Sequence, residues 1–117
     1  MPFDLARTSH RFESLPDGGL QTVRTLEPDT QQVRLIREHL RSEAVRFSRG
    51  DFGDPAAIHG HEMPGLAELS KGAARITVEF RERPDGGELR YRTREPALVE
   101  ALHHWFAAQR MDHGTAR

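Results

Sequence analysis

The sequence predicts an α+β fold: two ββα repeats forming a four-stranded antiparallel sheet with the helices packed on one face, plus a short helical middle segment. Three observations lead there. Phe12–Pro28 (FESLPDGGLQTVRTLEP) and Phe80–Pro96 (FRERPDGGELRYRTREP) align without a gap and are identical at nine of 17 positions, where roughly one identity is expected at average residue usage. Each copy centres on Pro-Asp-Gly-Gly (Pro16–Gly19, Pro84–Gly87), in which Pro presets φ and Asp-Gly-Gly accepts the positive φ of a tight hairpin. Each copy then ends in Thr-x-Glu-Pro, with Pro suited to a first helical turn and Glu complementing the helix dipole.

The elements follow in order. In the second copy Ile76, Val78 and Phe80 alternate with Arg75, Thr77, Glu79 and Arg81, and after the turn Leu89, Tyr91 and Thr93 alternate with Arg90 and Arg92. That period of two is a half-buried antiparallel hairpin. Its outward residues make an Arg-rich face, either solvated or a dimer interface. The first helix is expected from Pro28 to Phe47, with Val33, Ile36, Leu40, Ala44 and Phe47 on one stripe. The last is expected from Pro96 to Met111, with Leu98, Leu102, Trp105 and Phe106 inward and the stripe shifted by about one residue. Between the copies, short helices are expected near Pro55–His59 and Pro64–Ser70.

With 117 residues the chain suits one domain, residues 1–117, with repeats at 10–49 and 78–114 joined by a middle segment 50–74. Cysteine is absent, which excludes disulfides, thiolate metal sites and cysteine nucleophiles. A net charge of −1, from 17 basic and 18 acidic residues, argues against a nucleic-acid partner held by counterion release. No apolar run is long enough for a membrane span, and the first ten residues lack a secretory pattern, so a cytoplasmic location is expected.

Seven His in 117 residues draw attention, because imidazole is both a metal ligand and a proton carrier near neutral pH. The densest cluster, His59-Gly60-His61-Glu62-Met63, combines imidazoles with a thioether, donors that suit copper or haem iron. On a helical wheel His103 borders the apolar face of the last helix, whereas His104 points away. His113 follows Asp112, which could orient its ring. His39 borders the stripe of the first helix. His10 stands where the second copy has Val78, so it faces the helices and needs a polar partner. The zinc-protease spacing, the P-loop, the dinucleotide-binding glycine pattern and the nucleophile elbow are all missing from the sequence.

Three stretches carry a family resemblance: Gly50-Asp51-Phe52-Gly53-Asp54-Pro55 running into Ile58-His59-Gly60 and Met63-Pro64-Gly65-Leu66; Thr93 to Val99; and His103 to Gly114. So does Leu15-Pro16-Asp17-Gly18 with Thr25, Pro28, Ile36 and His39. Together they resemble a family of small bacterial proteins with duplicated ββα units, some of which carry an aspartate carbamoyltransferase label. That activity does not carry over, since the chain lacks the two-domain size and the Ser-Thr-Arg-Thr phosphate loop it requires. The resemblance directs attention to His10, His39, His59, Met63, His103 and His113.

The leading expectation is a small binding protein for a transition metal (copper or iron) or haem. The ligands would be His59, His61, Met63, His103 and His113, with His10 and His39 as weaker candidates. His59, Met63 and His103 are expected around one pocket between the middle segment and the last helix. The alternatives are a small enzyme with a His acid/base, or a non-catalytic interaction module that forms a homodimer.

Overall fold

The structure is a computed structural model that describes residues 5–50 and 65–113. Strands β1 (Thr8–Leu15) and β2 (Gly18–Thr25) form the first hairpin, and helix α1 (Thr30–Ser48) follows. Helix α2 (Leu66–Gly72) and a 3-10 turn (Ala73–Arg75) lead into strands β3 (Thr77–Arg83) and β4 (Gly86–Arg92) and then helix α3 (Pro96–His113). The four strands form one antiparallel sheet in the order β1-β2-β4-β3. The expected helix near Pro55–His59 lies outside the described residues.

The duplication is built into the register. Gln21 pairs with Leu89, which is its own counterpart in the second copy (21 plus 68), so a pseudo-twofold axis passes between them. Thr8↔Thr25 in the first hairpin corresponds to the Ile76–Thr93 end of the second, and Phe12↔Gln21 corresponds to Phe80↔Leu89. Phe12 and Phe80 thus occupy equivalent positions facing the helices, Phe12 buried and Phe80 half-buried under the Arg41 guanidinium, 4.9 Å from its ring centre. Backbone bonds cross the axis in matched pairs as well: Thr25 N–H donates to Asp85 O at 2.8 Å, and Thr93 N–H to Asp17 O at 2.9 Å.

The close approach of β2 and β4 explains the first glycine of each Pro-Asp-Gly-Gly. A Cβ on Gly18 would overlap the Tyr91 carbonyl, and one on Gly86 would overlap the equivalent Val23 carbonyl. Gly18 also has φ +152°, whereas Gly86 has no positive φ. Central-sheet packing, more than turn geometry, requires glycine at both places. Beside the first turn, Arg90 hydrogen-bonds Asp17 and holds its carboxyl below the usual carboxylate range.

Each helix covers the other copy's strands: α1 lies over β3 and β4, and α3 over β1 and β2. The aligned helical positions differ by 66 residues, against 68 for the strands. Leu40 lies next to Gly87 and Phe106 next to Gly19, and Ile36 matches Leu102. The shift is therefore two residues rather than about one. It arises because α3 begins at Pro96, directly after its Thr-x-Glu, whereas α1 begins two positions past Pro28 with Asp29 as N-cap, accepting from Gln32 N–H at 3.1 Å. Val33 is only half-buried, and the buried face of α1 is Ile36, Leu40, Glu43, Ala44 and Phe47. Leu98, Leu102, Trp105 and Phe106 are buried as expected. Leu69 of α2 is fully buried, and Gly72 sits against Leu98 where a side chain would collide. Among the described residues no helix is long and apolar enough to cross a membrane.

Candidate functional site

Along its helix-facing side the sheet carries Thr8, His10 and Gln21 in the first copy where the second has Ile76, Val78 and Leu89. Thr8 and His10 of β1 are both buried, and the Thr8 hydroxyl lies 3.0 Å from His10 Nε2. This is the partner that burial of an imidazole demands. His10 pairs with Val23 across the ladder, which places Gln21 diagonally beside it on the same face. Gln21 Oε1 accepts a hydrogen bond from the Tyr91 hydroxyl at 2.9 Å. Tyr91 is fully buried. Desolvation, and after it the negative charge of Glu43, push its phenol well above the ordinary value.

The helices add the ionisable pair. His39 Nε2 and Glu43 Oε1 are 3.4 Å apart, one turn from each other on α1, with side chains 14% and 10% exposed. By the two-residue helix shift their counterparts on α3 are Trp105 and Gln109, both buried. The pseudo-axis therefore sets a His–Glu pair across from a Trp–Gln pair. The core also holds an aromatic cluster. Phe47, Trp105 and Phe106 surround the Tyr91 ring with centroid separations of 6.4, 5.9 and 5.3 Å. Phe12 meets Phe106 edge-on at 5.4 Å. A carboxylate kept this dry is costly unless a polar group meets it, and the His39 imidazole lies beside it on the same helix.

His103 has a different role. Its Nε2 lies 2.7 Å from Leu15 O and 3.0 Å from Gly18 O. Carbonyl oxygens only accept, so Nε2 carries the proton and donates to both. The matching residue on α1 is Arg37, which donates to Arg83 O at 2.6 Å and Gly86 O at 3.0 Å, the same two positions of the other hairpin. His103 and Arg37 are equivalent clamps that satisfy the carbonyls flanking each turn. Arg110 extends this contact, donating to Phe12 O at 2.7 Å. His104 is exposed, as the wheel places it, with Nε2 3.9 Å from Glu100.

His59, His61 and Met63 lie outside the described residues, as does the side chain of His113 at the end of α3. Among the described residues no three His, Cys, Asp or Glu side chains form a group able to hold a metal ion. The structure brings His39 beside Glu43 and sets His10 beside Gln21, while His103 serves the turn. Sequence reasoning passed over Glu43, Gln21 and Gln109. The available signal was a His-x-x-x-Glu spacing on the helix stripe, with Gln at two otherwise inward positions. No family model, curated protein or solved structure matches the chain.

Proposed function

We propose that the protein is a small cytoplasmic binding protein for a transition-metal ion, copper or iron, with the His39–Glu43 pair of α1 in its site. The observation that carries this reading is the His39–Glu43 pair, 3.4 Å apart and largely buried beside an apolar core of aliphatic and aromatic side chains. A carboxylate beside an imidazole raises its basicity and fixes its ring, as partners of metal-ligating histidines do. His10, held by Thr8, is the second imidazole on the same side of the sheet. The sequence offers further donors of the right softness in His59, His61 and Met63. An ion fits this reading better than haem: the aromatic side chains pack on one another, and a porphyrin needs two open apolar walls.

Elemental analysis of the purified protein, followed by copper and iron titration monitored by absorbance and calorimetry, tests it. One equivalent bound is expected. His39→Gln and His10→Gln should each weaken binding at least about tenfold, the order of effect for a ligand or its support. Glu43→Gln, which gives α1 the Gln that α3 carries, should weaken it as well. His104→Ala should leave it unchanged. A protein that takes up neither metal sinks the proposal.

A second reading uses the same pair as an acid–base dyad in a small enzyme, with Glu43 tuning His39. It is favoured if His39 titrates well above an ordinary histidine in a protein that binds no metal.

A further inference from the structure

We propose that the sheet face turned away from the helices joins two copies of this chain in a weak, salt-sensitive homodimer of defined symmetry. The strand register sets the outward side chains in rows across the sheet. One row runs Arg11, Thr22, Glu88, Arg81; the adjacent row runs Glu13, Leu20, Arg90, Glu79. Read from β1 to β3, the signs are plus, neutral, minus, plus in the first row and minus, neutral, plus, minus in the second. The rows are charge inverses at every position.

That inversion selects one arrangement. A twofold axis lying parallel to the rows, midway between them, lays each row on the inverse row of a second copy. Arg11 then faces Glu13 of the other copy, Glu88 faces Arg90, Arg81 faces Glu79, and Thr22 meets Leu20. A twofold along the strands would instead bring Arg11 onto Arg81 and Glu13 onto Glu79, like charge on like. Three of these charges are oriented within each copy: Glu88 by Arg83 at 2.8 Å, Glu79 on the edge strand by Arg92 at 2.9 Å, and Arg90 by Asp17. Arg11, Glu13 and Arg81 make no ion pair among the described residues, so their charges remain for a partner.

Size limits the affinity. Four strands at the usual spacing and about seven residues each give on the order of 450 Å² per copy, below the roughly 800 Å² per partner of a stable complex. The interface is also charged rather than apolar, so added salt screens it.

Sedimentation velocity of the full chain, from micromolar to near-millimolar concentration at low and high salt, provides the test. Reversible dimerisation is expected at low salt and loss of dimer at high salt. Arg11→Glu sets Glu against Glu13 of the other copy twice per dimer and should weaken association by roughly fivefold or more. Adding Glu13→Arg to it restores opposite signs and should return the wild-type midpoint to within about twofold. Circular dichroism confirms that both variants fold. A monomer under all conditions overturns the proposal. So does a dimer that strengthens with salt, or one that ignores the single change or fails to recover in the double.

Discussion

The two copies share a backbone and differ in what they bury. Where β1 turns Thr8 and His10 toward the helices, β3 and the residue before it turn Val78 and Ile76. At the pseudo-axis Gln21 pairs with Leu89, and on the helices His39 and Glu43 stand where α3 has Trp105 and Gln109. The shared residues, Pro-Asp-Gly-Gly and the Thr at the end of the second strand, hold the fold. The inward differences put polar residues on β1, β2 and α1. A duplicated scaffold can keep its geometry with one set of positions and concentrate chemistry at the positions where the copies diverge.

The comparison breaks most easily at its aromatic side. Trp105 is buried against Phe47 and Tyr91, at the meeting point of both helices and the sheet. Trp105→Ala should cost about 3–5 kcal/mol in urea unfolding, and a loss under ~1 kcal/mol would remove the ring from the core.

The two close-approach glycines sharpen the comparison next. Gly18→Ala meets both a positive φ and the Tyr91 carbonyl, and should cost about 2–4 kcal/mol. Gly86→Ala meets only the Val23 carbonyl and should cost about 1–3 kcal/mol. Equal losses would mean that the Gly18 conformation relaxes without strain.

The clamps come after these. His103→Ala and Arg37→Ala each strip two turn carbonyls of a donor and should cost roughly 1–2 kcal/mol apiece. Because the hairpins are equivalent, the two losses should be similar by denaturation. A His103→Ala protein as stable as wild type would return that histidine to the list of candidate ligands.

The smallest effect is silent at neutral pH. Tyr91, the only tyrosine, has its folded phenol raised by burial and by Glu43. Its neutral form is favoured in the fold, so that contribution is fully present below the unfolded value near pH ~10 and is lost as pH rises beyond it. Phenolate absorbance should therefore stay absent until the protein unfolds, and then appear together with loss of circular dichroism. A smooth, non-cooperative titration at the ordinary value would place the phenol in contact with water.

Sequence alone determined the repeat, both hairpins, the facing of the second copy's strand residues and most of the inward faces of the helices. These follow from local rules: period two, period 3.6 and turn chemistry repeat wherever the residues repeat. It also separated His103 from His104 and required a partner for His10. Only the tertiary structure decided that each helix covers the other copy's strands, since nothing local says which hairpin a helix folds back upon. The same crossing turned His103 into a partner of backbone carbonyls, because its ring reaches the turn 85 residues away. Glu43 stayed illegible for the related reason that a glutamate four residues after a histidine looks like a solvated pair on any helix. What sets it apart is its burial and its closeness to the Tyr91 phenol of β4, a neighbour 48 residues away that only the folded chain brings to it.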